Sequence, residues 1–176
     1  MKKTGLKIEI YGSEILRARA ASVKTPGPEH RELLSAMARF MYANSGIGLA
    51  APQIGVGEAM LVADIGTGLY KLINPRIIRR EGRQSFEEGC LSLPGVSVNV
   101  KRSRKITLKA LDQDFNPVTI KAEGLLACVF QHEIDHLRGR MIVDHASLFD
   151  KVRLKKKLAE LYRRSKNDRL PEPGEE

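Results

Sequence analysis

The distribution of apolar positions divides the chain into a helical beginning, an extended middle and a helical end. The first apolar face recurs at helical spacing and consists of Leu33, Leu34, Met37, Phe40 and Met41. This face predicts a helix that follows the prolines of segment 25–28 and ends near residues 44–46. From residue 46 to residue 57 the chain is rich in small residues, which predicts an irregular loop.

The middle of the chain predicts antiparallel β-structure. Several short runs alternate apolar and polar residues, as half-buried strands do. The predicted strands are 60–63, 70–73, 77–78, 96–100, 105–111 and 118–120. Turns are predicted at Asn74-Pro75, at Gly82 and at residues 114–117.

The helical pattern returns in the last third of the chain. One helix is predicted from Gly124 through Leu137, with Gly139 as its stop, and another from about residue 147 to residue 164. The order of helix, strands, helix, helix is typical of an α+β fold. We therefore expect antiparallel β-sheets packed around the 124–137 helix, with a C-terminal helix.

Composition restricts the class of protein. The 176 residues are 42% hydrophobic and 29% charged, values typical of a globular domain rather than a disordered chain. No apolar run approaches the ~18 residues that cross a bilayer, and residues 1–9 lack the apolar core of an export signal. We expect no membrane partner, reduced cysteines and a cytoplasmic location, with a processed organellar protein as the minor alternative.

The chemistry is concentrated in the sequence His132-Glu133-Ile134-Asp135-His136. Histidines four residues apart share one helix face, so both rings can reach a single metal ion, with Glu133 beside it. The alternative is a pair of surface histidines on a charged helix. A catalytic site of this kind needs a third protein ligand.

Three residues are candidates for the third ligand. His145 lies too close along the chain for an easy reversal, and Glu160 lies in a lysine-rich stretch. Cys90, as a thiolate, completes a Cys-His-His site, although a free cysteine is also commonly a small buried apolar residue.

Three segments together resemble the signature motifs of peptide deformylases, in the same order and at similar separations. They are 46–53 (GIGLAAPQ), 88–92 (EGCLS) and 132–136 (HEIDH). The resemblance implies an enzyme that removes the formyl group from N-formylmethionyl nascent peptides and releases formate. It implies that Cys90, His132 and His136 are the metal ligands.

The resemblance also implies catalytic roles. Glu133 is expected to act as general base and acid, and Gln53 and the backbone N–H of Leu91 are expected to stabilise the oxyanion. Glu88 and Arg102 are expected to pair with each other and to orient the Cys90 segment without contacting the metal themselves.

The substrate is expected to lie along the small residues of the first motif. Gly46 and Gly48 allow a peptide backbone to approach closely, although a tight buried turn is an equal alternative. The resemblance suggests an apolar pocket for the methionine side chain, lined by Ile47, Leu125, Cys128 and Val129. The last three share a helix face, which a plain core would explain equally well.

The identity of the metal is open at this stage. Thiolate and imidazole ligands favour zinc. The resemblance instead implies Fe²⁺ as the physiological ion, with Zn²⁺, Ni²⁺ or Co²⁺ able to occupy the same site.

The net charge of +9 is concentrated near the C-terminus. Residues 150–169 contain nine Lys or Arg and three acidic residues, a formal charge of +6. A solvated face is the usual explanation of such a run. The resemblance implies a helix that docks on the ribosome.

These observations define the expected organisation. We expect a catalytic domain at 1–149, a basic helix at 150–169 that packs on it or extends from it, a frayed tail at 170–176, and a monomer. Two other functions remain open: a general HExxH metalloprotease, and a non-catalytic RNA- or ribosome-binding module with a structural metal.

Overall fold

The computed structural model describes residues 5–167, which form three α-helices and seven β-strands. The helices are α1 (Pro28–Ala43), α2 (Gly124–Leu137) and α3 (Leu148–Asn167). The strands are β1 (Gly48–Ala50), β2 (Met60–Ala63), β3 (Tyr70–Glu81), β4 (Gln84–Gly89), β5 (Ser97–Arg102), β6 (Lys105–Leu111) and β7 (Pro117–Glu123). The predicted tail at 170–176 and the last two residues of the predicted basic helix lie outside the described residues.

The strands form two antiparallel sheets. The larger sheet has the order β1-β2-β3-β6-β7, and β4 pairs with β5 in a separate two-stranded sheet. The helices are segregated from the run of strands in the chain order, so the predicted α+β class is confirmed.

Helices α1 and α2 pack on opposite faces of the larger sheet. Successive side chains of a strand point to opposite faces. On β2, Leu61 and Ala63 pack with α2, whereas Met60 and Val62 pack with α1. All four residues are buried because both faces of this strand are covered, and α2 therefore lies in the interior of the molecule.

Two sequence predictions about the backbone are wrong. The predicted loop at 46–57 contains β1 and a short 3₁₀ helix, Ala51–Ile54. The predicted turn at Asn74-Pro75 is instead an irregularity inside β3, where the pairing with β6 shifts between Ile73 and Arg76. The Asn74 side chain bonds both backbone groups of Val23, which stabilises this distortion.

Helix α3 packs against the smaller sheet through one narrow face. Leu154 and Leu161 are buried with Val98 and Val100 of β5. The helix thus contributes to a hydrophobic cluster while leaving most of its cations in solvent. None of the helices within residues 5–167 combines the length and the apolar character that crossing a bilayer requires.

Candidate metal centre

Helix α2 positions the two histidines of the HExxH sequence. His132 and His136 are one helical turn apart, and their ring centroids lie 5.0 Å from each other. The helix ends at Leu137, and Gly139, two residues later, has a φ of +70° that suits glycine. A Cβ at Gly139 would lie 2.3 Å from the Arg17 carbonyl oxygen, so the N-terminal segment packs directly on this helix end.

Cys90 completes a compact set of ligand atoms. It follows β4 directly, and its Sγ lies 3.2 Å from Nε2 of His136. The ligand atoms of Cys90, His132 and His136 all lie within 4.8 Å of one another. One thiolate and two imidazoles at this spacing fit a zinc or iron ion held by three protein ligands.

The other two candidates for the third ligand lie elsewhere. His145 contacts Asp135 through Nε2 at 2.8 Å, and Glu160 pairs with Lys157 at 3.1 Å on α3. Neither belongs to the ligand cluster found among the described residues.

Glu88 orients His132 from the side away from Cys90. Its Oε2 lies 2.9 Å from Nδ1 of His132, which leaves Nε2 as the ring nitrogen available to a metal. Burial acts to raise the pKa of Glu88, but hydrogen bonds from Arg102 and His132 outweigh it and lower the pKa to about 2. Glu88 is therefore an anion at neutral pH.

Arg102 holds Glu88 with two hydrogen bonds. Its Nε and Nη2 donate to the two carboxylate oxygens at 2.7 and 2.9 Å, and its Nη1 donates to Asp135 at 2.5 Å. The Arg102 side chain is only 5% exposed. We call the buried set Arg102, Glu88, Asp135 and His132 the Arg102 network.

The two histidines differ in their electrostatic surroundings. Burial acts to lower the pKa of His132, but hydrogen bonding to Cys90 and Glu88 raises it well above its usual value. Burial and the neighbouring His132 lower the pKa of His136, so this ring is held neutral, the form that binds metals. The Nδ1 atom of His136 is buried without a hydrogen-bond partner in the described part of the chain.

Glu133 is a buried carboxyl group that the protein leaves incompletely bonded. Its side chain adjoins Gly48 of β1, where an added Cβ would lie 2.3 Å from Oε1. Its other oxygen, Oε2, has no partner among residues 5–167. Burial is the main cause that raises the pKa of Glu133, to about 7, a value suited to exchanging protons near neutral pH.

Gln53 and Leu91 approach the ligands from two different segments. The Gln53 amide accepts a hydrogen bond from the Ala50 N–H at 2.8 Å, which turns its NH₂ group toward Cys90 Sγ, 3.5 Å away. Leu91 lies in the turn after Cys90, and its backbone N–H makes no hydrogen bond within the described residues. The Gln53 NH₂ group also donates to Ser92 Oγ at 3.3 Å, so both groups are donors beside the ligand cluster that hold at most long hydrogen bonds.

Two of the three ligands, Cys90 and His132, line a cavity of about 410 Å³ together with Glu133. Every residue expected to contact substrate lines this cavity: Gly46, Ile47, Gly48, Leu125, Cys128 and Val129. Ile47 and Leu125 are 45% and 42% exposed at its mouth, whereas Cys128 and Val129 are buried in its wall. Exposed apolar side chains around a concave polar centre are typical of a ligand site.

Cys128 also contacts the Arg102 network. Its Sγ donates to Oε1 of Glu88 at 3.1 Å, and burial together with this carboxylate raises the pKa of the thiol to about 12. Cys128 is thus a neutral thiol, and both cysteines are free.

Two residues near the site were missed by sequence reasoning. Phe86 lines the cavity from β4, a strand that carries mostly polar residues and that the apolar pattern did not reveal. Asp135 joins the Arg102 network from inside the HExxH segment. Asp135 lies three positions after His132, and this spacing was the signal in the sequence that could have identified it as a neighbour of the metal ligands.

Comparison with known proteins gives a consistent result over most of the chain. Residues 6–152 match the family model of polypeptide deformylases. The chain is 49% identical to a peptide deformylase of Carboxydothermus hydrogenoformans over 140 residues, which are 80% of this chain and 92% of that protein. A peptide deformylase of Legionella pneumophila superposes with a TM-score of 0.83 and 40% identity, over 94% of this chain and 98% of that one.

The likeness extends to eukaryotic proteins. A peptide deformylase of Arabidopsis thaliana, solved in complex with an inhibitor, superposes with a TM-score of 0.87 and 31% identity, over 96% of this chain and 97% of that one. Family, fold and ligand cluster agree. The chain therefore belongs to the peptide deformylase family and is a metal-dependent hydrolase that removes N-formyl groups.

Proposed function

We propose that the chain deformylates N-formylmethionyl nascent peptides in the cytoplasm, with Cys90, His132 and His136 holding the metal and Glu133 moving the protons. One observation carries this assignment of roles. The only buried side-chain oxygen without a hydrogen-bond partner in the described part of the chain belongs to Glu133, beside the Cys-His-His cluster. A buried polar atom without a partner is costly unless another molecule binds it.

Glu133 supplies the proton transfer that hydrolysis needs. When bound, the metal ion polarises the formyl carbonyl and lowers the pKa of water. Glu133 takes a proton from the attacking water as the new C–O bond forms at the formyl carbon. It returns that proton to the departing nitrogen as the C–N bond breaks, which leaves formate and a free amino terminus.

Gln53 and Leu91 are proposed to stabilise the negative charge that develops on the formyl oxygen. The Gln53 NH₂ group lies 3.5 Å from Cys90 Sγ, Leu91 follows Cys90 in the chain, and both residues line the cavity. Each such donor typically contributes on the order of 3 kcal/mol to the transition state.

The methionine side chain is proposed to occupy the apolar part of the cavity. Ile47 and Leu125 would close over it at the mouth, with Val129 and Cys128 behind them. An unbranched thioether adapts to such a wall, so we expect a preference for methionine rather than strict selectivity. Gly46 and Gly48 would admit the peptide backbone beside β1.

Hydrolysis of formyl-Met-Ala-Ser tests the proposed activity. We expect the metal-replete chain to release formate and free amine from this peptide, and to leave an internal peptide bond of a longer blocked peptide intact. A general metalloprotease would cleave the internal bond. A binding module would release no formate, and Glu133→Gln controls for a contaminating hydrolase.

The physiological metal is proposed to be Fe²⁺. The Cys-His-His set accepts iron as well as zinc, and the thiolate ligand makes an iron site sensitive to oxidation. Protein purified without oxygen should contain close to one iron per chain by elemental analysis and lose both iron and activity in air. Air-stable protein that contains zinc and is fully active would contradict this.

Helix α3 is proposed to dock on the ribosome. Lys155, Lys156 and Arg163 are exposed on the side of the helix away from its buried residues. Deleting the helix is a poor test because it would uncover the cluster around Leu154 and Leu161. Charge reversal of the three exposed cations should weaken salt-sensitive ribosome binding at least tenfold and leave hydrolysis of small peptides unchanged.

A matched control has the same change of charge elsewhere. Lys105, Lys109 and Lys121 are exposed on β6 and β7. Reversing them should leave ribosome binding within about threefold, as expected when a surface makes no phosphate contact. Equal losses in both variants would reject α3 as the docking element.

A further inference from the structure

A second cavity lies behind α2, on a side of the helix that does not face the metal centre. Its volume is about 400 Å³, and its lining contains polar residues and one glycine but no apolar side chain. Helix α2 contributes Gln131, Asp135 and Arg138, which share one face at helical spacing. His132 and Glu133 project from other faces into the first cavity.

Six cationic side chains line this cavity, and one of them, Arg102, is paired with Glu88 and Asp135. The other five are Arg80, Arg83, Lys101, Arg138 and Arg140. None of them forms a salt bridge with a residue in the range 5–167. Other surface arginines do, since Arg31 pairs with Asp114 and Arg104 with Glu123. We call these five residues the basic cavity cluster.

The cations of the cluster repel one another. Arg80 donates to Gln131 at 2.8 Å, and burial together with the nearby charges of Arg138 and Arg102 lowers its pKa. The carboxylate of Asp135 offsets part of this repulsion, and it already accepts hydrogen bonds from Arg102 and His145. Like charges gathered in a concave polar surface are stabilised by a bound anion.

The lining restricts the kind of anion. An inserted lipid chain or an apolar protein hot spot would need apolar side chains, which the cavity lacks. Guanidinium groups bind phosphate oxygens through two parallel hydrogen bonds. The one ring in its lining is the imidazole of His145, which Asp135 holds at 2.8 Å, and guanidinium groups outnumber it, which favours contact with a phosphate backbone over contact with bases.

A further cation, Arg153, lies at the far end of β5 from the cavity, where it also pairs with Asp150 at 2.9 Å. Strand β5 runs from Ser97, whose carbonyl oxygen accepts a hydrogen bond from Arg153 of α3 at 3.5 Å, to Lys101 at the cavity. Four residues of strand separate these points by about 13 Å. An extended polymer would contact both, whereas a single small phosphate would not.

We propose that the basic cavity cluster binds the sugar-phosphate backbone of double-stranded RNA, independently of sequence. Duplex RNA is recognised mainly through its shape and its phosphates. Bound RNA would lie behind α2, so the first cavity would remain open to peptides. This proposal does not depend on the roles proposed above for α3 or for Glu133.

Charge reversal at two exposed positions of the cluster tests the proposal. The metal-replete full chain is titrated onto a fluorescent RNA duplex of about 20 base pairs, and anisotropy is measured from about 50 to 200 mM salt. Arg83→Glu combined with Arg140→Glu should weaken binding at least tenfold and lower the salt-dependence slope by about two units. Hydrolysis of formyl-Met-Ala-Ser should be unchanged, which shows that the variant is folded.

The control makes the same change of charge at two exposed lysines that do not line the cavity. Lys109→Glu combined with Lys121→Glu, on β6 and β7, should leave RNA affinity within about threefold. Equal weakening by both pairs would show attraction by net charge alone and overturn the proposal. Binding to vesicles with anionic lipid, in the absence of binding to the duplex, would also overturn it.

Discussion

Two polar regions meet at helix α2, and they differ in how completely their hydrogen bonds are satisfied. In one, every member of the Arg102 network is held by charged partners at 2.5 to 2.9 Å. In the other, Glu133 Oε2 and His136 Nδ1 are the buried side-chain atoms without partners in the described range. The first region fixes positions, and the second keeps capacity for ligands that arrive later.

The largest expected effect is a loss of activity when Glu133, whose Oε2 has no partner in the described range, is replaced. Glu133→Gln should lower kcat/KM for formyl-Met-Ala-Ser by about 10²–10⁴-fold, the usual contribution of a general acid–base group. The urea midpoint of unfolding should stay the same or rise, because a buried carboxyl group without a full set of partners is replaced by a neutral amide. A large loss of stability would show that Glu133 supports the fold, and the contrast between the two regions would fail.

The next largest effect is expected in the Arg102 network, and it is a loss of stability rather than a loss of activity. Arg102→Met should lower the free energy of unfolding by about 3–5 kcal/mol, since Glu88 and Asp135 would remain buried without a countercharge. Arg104→Met is the matched control. Its ion pair with Glu123 is exposed, so its loss should cost no more than about 1 kcal/mol. Equal losses in urea titrations would mean that the Arg102 network does not stabilise the protein.

A third test concerns how tightly the side chain of Glu133 is packed against β1. In Gly48→Ala the new methyl group would meet the Glu133 carboxyl and Val129. Displacing a catalytic group by about 1 Å typically lowers the rate about 10²-fold, and we expect this loss in kcat. Gly57→Ala, where no atom lies within 4 Å of the added Cβ, should leave kcat unchanged. A Gly48→Ala enzyme with normal kcat would show that Glu133 tolerates movement.

The smallest effect is expected where the two regions meet, at Cys128. Cys128→Ala removes its hydrogen bond to Glu88 and should lower the free energy of unfolding by about 1–2 kcal/mol. Cys128→Ser keeps a donor at the same position and should lower it by less than about 1 kcal/mol. Equal unfolding midpoints in the two variants would show that this hydrogen bond contributes nothing.

The sequence alone was sufficient to predict those metal ligands that lie within a few residues of each other in the chain. The four-residue spacing of His132 and His136 determines their geometry once α2 forms, so both ligands were predicted from the helix pattern alone. Cys90 lies 46 residues before His136, and its placement depends on how β4 packs. The choice of Cys90 therefore needed the family resemblance.

Features that depend on tertiary pairing were harder to predict. Strand β1 contains only Gly48, Leu49 and Ala50, residues with little intrinsic preference for strand, and it forms because β2 offers its edge. Pro75 suggested a turn because proline lacks an N–H, yet the pairing with β6 simply shifts around it. In both cases the neighbouring strand overrides the local preference.

The separation between Cys90 and His136 also sets an order of events during synthesis. At a rate of ~5–20 residues per second, roughly 2–9 s pass between addition of the cysteine and addition of the last histidine. During that interval no metal ion can find all three ligands. A metal ion can therefore bind all three ligands only after His136 has been added and α2 has formed.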